Sequence, residues 1–235
     1  MNQGLVIGKF MPLHQGHIAL IDYAASKCEK LIVFLSYNKK DEIPGPLRLN
    51  WLWQTFRKKT NIQIEYTDEK LPDAPYSSRN VSKVWANYLS HRFPGVRAIF
   101  SSEKYGDYLA EYMNIEHLPF DNERKKHPIS ATQIRENPYK NWKFLAEVVK
   151  SYYRKKICIY GPESTGKSVL TEKLARYFNT DYVPEIARDI IGDEGEVTYE
   201  KIERIFFDHA NEILKKEKTS NQVLFCDTDY LTTII

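Results

Sequence analysis

The sequence predicts an α/β protein made of two consecutive domains with parallel sheets. Three observations lead there. Short continuous apolar runs alternate with amphipathic stretches along the 235 residues. A glycine-bearing turn twice joins an apolar run to an amphipathic stretch, at residues 8–17 and at residues 161–168. The alternation breaks once, at Ser151-Tyr152-Tyr153-Arg154-Lys155-Lys156, so residues 1–150 and 151–235 read as separate domains joined by a short linker.

The elements follow in order. Leu5-Val6-Ile7 is a strand, and residues 16–28 form a helix with Ile18, Leu20, Ile21 and Ala24 on one side. Residues 31–35 are continuously apolar, as in a strand covered on both faces. Residues 41–46, with Pro44 and Pro46, are a loop. Trp51, Leu52, Thr55 and Phe56 then recur at helical spacing within residues 47–59. Trp51 and Trp53 read as packing residues. Residues 62–66 alternate as a strand, 72–75 are a loop, and 81–91 are a helix. Ala98-Ile99-Phe100 is a buried strand, 105–113 a helix, and 115–120 close the first series. The second series offers three strands, at 157–160, 181–183 and 223–226.

Composition narrows the function classes. There are 34 Lys+Arg against 31 Asp+Glu, a net charge of +3. That excess is too mild for a dedicated nucleic-acid binder and suits small anionic ligands. A hydrophobic fraction of 42% supports a core. No apolar run approaches the roughly 20 residues that span a bilayer. The first residues lack the basic-then-apolar pattern of a secretory leader. Cys28, Cys158 and Cys226 show no CxxC spacing and read as reduced, buried thiols of a cytoplasmic protein.

Gly161-Pro162-Glu163-Ser164-Thr165-Gly166-Lys167-Ser168 fits G-x-x-x-x-G-K-[ST] between a strand and a helix. The glycines let backbone N–H groups face a phosphate, and Lys167 can reach β- and γ-phosphates. Ser168 offers a hydroxyl to Mg²⁺. Asp227, at the end of an apolar run downstream, is placed to hold Mg²⁺ or to accept a substrate proton. Glu185 and Arg188, after residues 181–183, face the same crevice or are ordinary surface charges.

The first turn, Gly8-Lys9-Phe10-Met11-Pro12-Leu13-His14-Gln15-Gly16-His17, puts two histidines at a helix start. There the free N–H groups and the helix dipole favour negative charge. A metal reading of HxxH lacks a third ligand. In Ile129-Ser130-Ala131-Thr132-Gln133-Ile134-Arg135, two hydroxyls and a guanidinium suit phosphate oxygens at a second helix start.

The pair G-x-F-x-P-x-H-x-G-H and I-S-x-T-x-I-R resembles the nucleotidyltransferase superfamily of cofactor adenylyltransferases. With Arg48-Leu49-Asn50-Trp51-Leu52, Glu136-Asn137-Pro138 and the P-loop domain that follows, the whole chain resembles the NadR family. These are bifunctional nicotinamide-mononucleotide adenylyltransferase and ribosylnicotinamide kinase proteins. The resemblance implies a Rossmann-like nucleotidyltransferase domain followed by a partial P-loop kinase domain. It implies ATP, Mg²⁺, nicotinamide mononucleotide and ribosylnicotinamide as ligands and NAD as product, without DNA or membrane. Gly8, Lys9, Phe10, His14, His17, Ser130, Thr132 and Arg135 would bind ATP, and Trp85 would stack on the nicotinamide ring. In the second domain residues 161–168 would cradle ATP, Lys167 and Asp227 would be catalytic, and Glu185 and Arg188 would meet the substrate. The chain starts at its first strand, without a helix-turn-helix domain, and stops soon after Asp229. It is therefore expected to be C-terminally truncated, active as adenylyltransferase and weak as kinase, with the P-loop strand left as a sheet edge. An adenylyltransferase–kinase fusion of coenzyme A synthesis and a nucleotide-sensing regulator are the alternatives. Homo-oligomerisation is left open.

Overall fold

The computed structural model describes residues 2–73, 77–191 and 197–228. The chain divides into two compact units, Met1–Val149 and Lys150–Ile235.

Unit 1 is a five-stranded parallel sheet in the order β3-β2-β1-β4-β5. Its elements are β1 (Gln3–Gly8), α1 (Gln15–Lys27), β2 (Lys30–Ser36), α2 (Gly45–Phe56), β3 (Ile62–Thr67), α3 (Arg79–Arg92), β4 (Ala98–Ser101), α4 (Tyr105–Met113), β5 (Glu116–Pro119), α5 (Ala131–Glu136) and α6 (Glu147–Tyr153), which runs into unit 2. The apolar runs became strands because a parallel strand is covered on both faces. Leu31, Ile32, Val33, Phe34 and Leu35 are all buried. One core cluster packs Leu5, Ile32, Phe34 and Ile99 of the sheet against Ala86 and Leu89 of α3 and Leu109 of α4. Trp51 is buried as expected. Trp53 is 52% exposed and does not pack, because it falls on the outer face of α2.

Register places the site. β1 pairs in parallel with both β2 and β4. The chain winds outward from β1 to β3, then crosses back to begin again at β4. The carboxyl ends of β1 and β4 thus flank a switch point, where loops on the two sides diverge and leave a crevice.

Unit 2 contains β6 (Lys155–Ile159), α7 (Lys167–Tyr177), β7 (Tyr182–Val183), α8 (Ile186–Ile191), α9 (Tyr199–Lys216) and β8 (Val223–Asp227). Its described strands are parallel in the order β6-β8-β7. Val183, Leu224 and Cys226 form its small core, with Ile213 of α9 against it. Among the described strands β6 has one neighbour, and Ile157 on it is 40% exposed. Cys158 is consequently exposed, against the expectation of a buried thiol, while Cys28 and Cys226 are buried.

The segment read as a linker is ordered structure. Tyr152 and Tyr153 end α6, and Lys155 and Lys156 open β6. Arg154, buried between them, donates to the carbonyls of Asn221 and Ser220 at 2.7 Å each, tying the start of β6 to the start of β8.

Candidate active site

The switch-point crevice of unit 1 is a cavity of about 670 Å³. Its walls carry Gly8, Lys9, Phe10, His14 and His17 from the first turn, Trp85 from α3, and Ser130, Thr132 and Arg135 from the cap and body of α5. Two motifs more than a hundred residues apart thus line one space.

His14 is the N-cap of α1, and its Nδ1 accepts from the His17 N–H at 3.3 Å. The cap aligns the two rings, which stack at 3.7 Å between centroids and 21° between planes. Phe10 meets His17 edge-on at 5.1 Å. Burial, then the charges of Arg124 and His127, lower the His14 pKa to about 4. Burial, then His14 and Arg124, also bring His17 well below the usual imidazole value, with the Pro12 carbonyl opposing. Both rings are therefore neutral at pH 7, and each can offer one N–H without bringing a charge.

The turn is braced from three sides. Leu145 bridges His14 in an isolated antiparallel contact, and the Ala146 N–H donates to the Leu13 carbonyl at 3.3 Å. Arg48, fully buried, donates to the Lys9 carbonyl at 2.7 Å and pairs with Asp41 at 2.5 Å. Arg135 donates to the Met11 carbonyl and to Thr132 Oγ1, and faces Glu42 at 3.5 Å. The Lys9 ammonium pairs with Asp73.

Ser130 caps α5 in a capping box with Gln133. This leaves its hydroxyl at the cavity wall beside Thr132. Trp85 is half-buried and donates from Nε1 to the Pro72 carbonyl at 2.8 Å, which fixes its indole plane. Sequence reasoning missed Arg48's role as a strut, and also Arg124, Asp73 and the 145–146 clamp. The position of Arg48 on a buried helix face was visible; its reach to the Lys9 carbonyl, 39 residues away, was not.

In unit 2 the turn after β6 leads into α7 through Gly166, whose φ of 86° needs glycine. Lys167 Nζ and Thr165 Oγ1 both donate to the Pro162 carbonyl, at 2.9 and 2.7 Å. Gly161, Glu163, Ser164 and Ser168 complete the loop. Asp227 ends β8, in register with Ile159 at the end of β6. It is 2% exposed, and its Oδ1 has no hydrogen-bond partner among the described residues. Glu185 and Arg188 pair with each other at 2.8 Å, and no described contact joins them to the P-loop.

Residues 5–137 match the cytidylyltransferase-like family. The chain belongs to that family. As a cytidylyltransferase-like protein it carries a second match, an AAA domain, over residues 156–235. It is 35% identical to the trifunctional NAD biosynthesis/regulator protein NadR of Salmonella typhimurium, over 99% of this chain and 61% of that protein. The Escherichia coli protein of the same name is 34% identical over 98% of this chain. The chain thus spans about three fifths of these relatives. A crystal structure of NadR protein in complex with NAD and AMP-PNP superposes with a TM-score of 0.81 at 27% identity, covering 99% of this chain and 70% of that one. A second, in complex with NR, gives 0.79 at 26%. The resemblance to the NadR family therefore holds across both units.

Proposed function

We propose that unit 1 transfers the adenylyl group of ATP to nicotinamide mononucleotide, giving NAD and pyrophosphate. One observation carries the reading: the Lys9–His14–His17 turn, the Ser130–Thr132–Arg135 helix start and Trp85 line the same cavity. A phosphate oxygen of the mononucleotide attacks the α-phosphorus of ATP. The new P–O bond forms as the bond to the β-phosphate oxygen breaks. No protein nucleophile is needed, so rate comes from alignment and from stabilising charge as it develops. His14 and His17 donate N–H groups to the α-phosphate oxygens. Lys9, Ser130, Thr132 and Arg135 hold the departing pyrophosphate, and Trp85 stacks on the electron-poor pyridinium. Mg²⁺ enters with ATP as part of the substrate.

Unit 2 is read as a kinase that phosphorylates ribosylnicotinamide at its 5′-hydroxyl. Its residues fit a divalent ion: Asp227 is a buried carboxylate with an oxygen lacking a hydrogen bond among the described residues, and Ser168 follows Lys167 at a helix start. Ser168 and Asp227 would hold Mg²⁺, which supplies charge neutralisation at the phosphates. The P-loop would bind ATP, and Glu185 and Arg188 the ribosyl substrate. Its product is the substrate of unit 1. The use of ATP and pyridine nucleotides supports a cytoplasmic reading of both reactions.

The test is incubation with ATP, Mg²⁺ and nicotinamide mononucleotide. NAD and pyrophosphate are expected in equal amounts. Preferential use of phosphopantetheine over the mononucleotide would favour the coenzyme A reading instead.

A further inference from the structure

Among the carboxylates on the wall of the unit 1 cavity, one stands apart. Asp41 is paired with Arg48, Asp73 with Lys9, and Glu103 with Arg124 at 3.3 Å. Asp121 accepts from the backbone N–H groups of Lys126 and His127 at 3.2 and 2.9 Å. Glu69 differs. Its side-chain hydrogen bond comes from the neutral Tyr88 hydroxyl at 2.9 Å, and among the described residues no cation lies within ion-pair distance of it. It is an exposed residue on the cavity wall, so its charge faces the cavity through partly screening water and no protein cation cancels it.

Topology says which ligand meets it. Glu69 follows β3, at one edge of the sheet, whereas Arg124 and Arg135 follow β5, at the other. A triphosphate held by Arg135 leaves the β3 side of the cavity for the ring of the second substrate. Trp85 on α3 lines the same cavity, and its ring meets Tyr88 edge-on at 6.1 Å. Tyr88 thus links Trp85 to Glu69, and Trp85 is itself bonded to Pro72 on the segment that carries Glu69.

We propose that Glu69 is a specificity-determining residue, selecting a pyridinium mononucleotide with an uncharged ring substituent over the same mononucleotide with a ring carboxylate. This rests on the adenylyltransferase reading above. A pyridinium bearing an amide is a cation and is attracted by Glu69. A ring carboxylate cancels that charge and places one anion against another. At the separations of such a wall and with partial screening by water, one unneutralised charge changes the ratio of rates by about five- to tenfold.

The experiment measures kcat/KM for nicotinamide and nicotinate mononucleotides with the full chain, Glu69→Gln and Glu69→Lys. A ratio taken on one preparation is independent of the active fraction, so a purely structural loss does not move it. The wild type is expected to prefer the amide. Glu69→Gln should lower that preference by about five- to tenfold, chiefly through the KM of the acid, and Glu69→Lys should lower it further. Raising the salt concentration should weaken the wild-type preference. Ratios within twofold of wild type in both variants would overturn the proposal. Turnover of neither mononucleotide by the wild type would contradict the adenylyltransferase reading itself, and the proposal would fall with it.

Discussion

Two imidazoles stacked at 3.7 Å between centroids disfavour charge on both rings at once. With the His14 pKa at about 4 and that of His17 also lowered, both rings stay neutral through the working range. NMR of the unliganded chain should show neither ring titrating between pH 8 and pH 6; an inflection near 6.5 in either would contradict the geometry. The same shift acts on stability. Between pH 6.5 and about 4 the unfolded chain binds a proton at His14 that the folded chain does not, so stability falls as pH falls through that window. The His14 contribution amounts to about 3 kcal/mol, and urea midpoints of His14→Gln should depend less on pH than wild type. For catalysis, His17→Ala should reduce NAD formation by roughly 10²–10³ with the fold intact, the usual loss of one donor aimed at developing charge. Wild-type turnover would assign His17 to packing.

At the scale of elements, the first turn depends on braces from elsewhere. Arg48 on α2 is the most buried of them, and removing it strands Asp41 without its partner. Arg48→Met should destabilise the chain by roughly 3 kcal/mol in urea unfolding. A change under 1 kcal/mol would mean that the pair is not structural. A second tight place lies at the start of α4. A Cβ on Gly106 would come within 2.2 Å of Ser101 Oγ and 2.4 Å of His117 Nε2, which bond each other at 2.9 Å. Gly106→Ala should destabilise by about 1–3 kcal/mol, checked the same way. Strands of unit 1 were readable because buried parallel strands are continuous apolar runs, as at residues 31–35. The helix α9 was not read: its inward residues, Ile205, His209 and Ile213, are spread through a strongly charged segment. Both phosphate motifs were readable because their residues are contiguous. Their bracing was not, since Leu145 reaches His14 and Arg135 reaches Met11 across more than a hundred residues. Glu69 had no local signal at all; its lack of a cation emerges only once the neighbours are in place.

The whole molecule is two α/β units, each with its own glycine-bearing strand-to-helix turn, and no described helix is long and apolar enough to cross a membrane. On this reading adenylyl transfer belongs to the cavity of unit 1 and does not draw on the P-loop of unit 2. The most direct test is NAD formation from ATP and nicotinamide mononucleotide, measured side by side in Lys167→Ala and His17→Ala. Lys167→Ala should make NAD at the wild-type rate, while His17→Ala should be deeply impaired. A folded Lys167→Ala protein that makes no NAD, or a fully active His17→Ala protein, would contradict it.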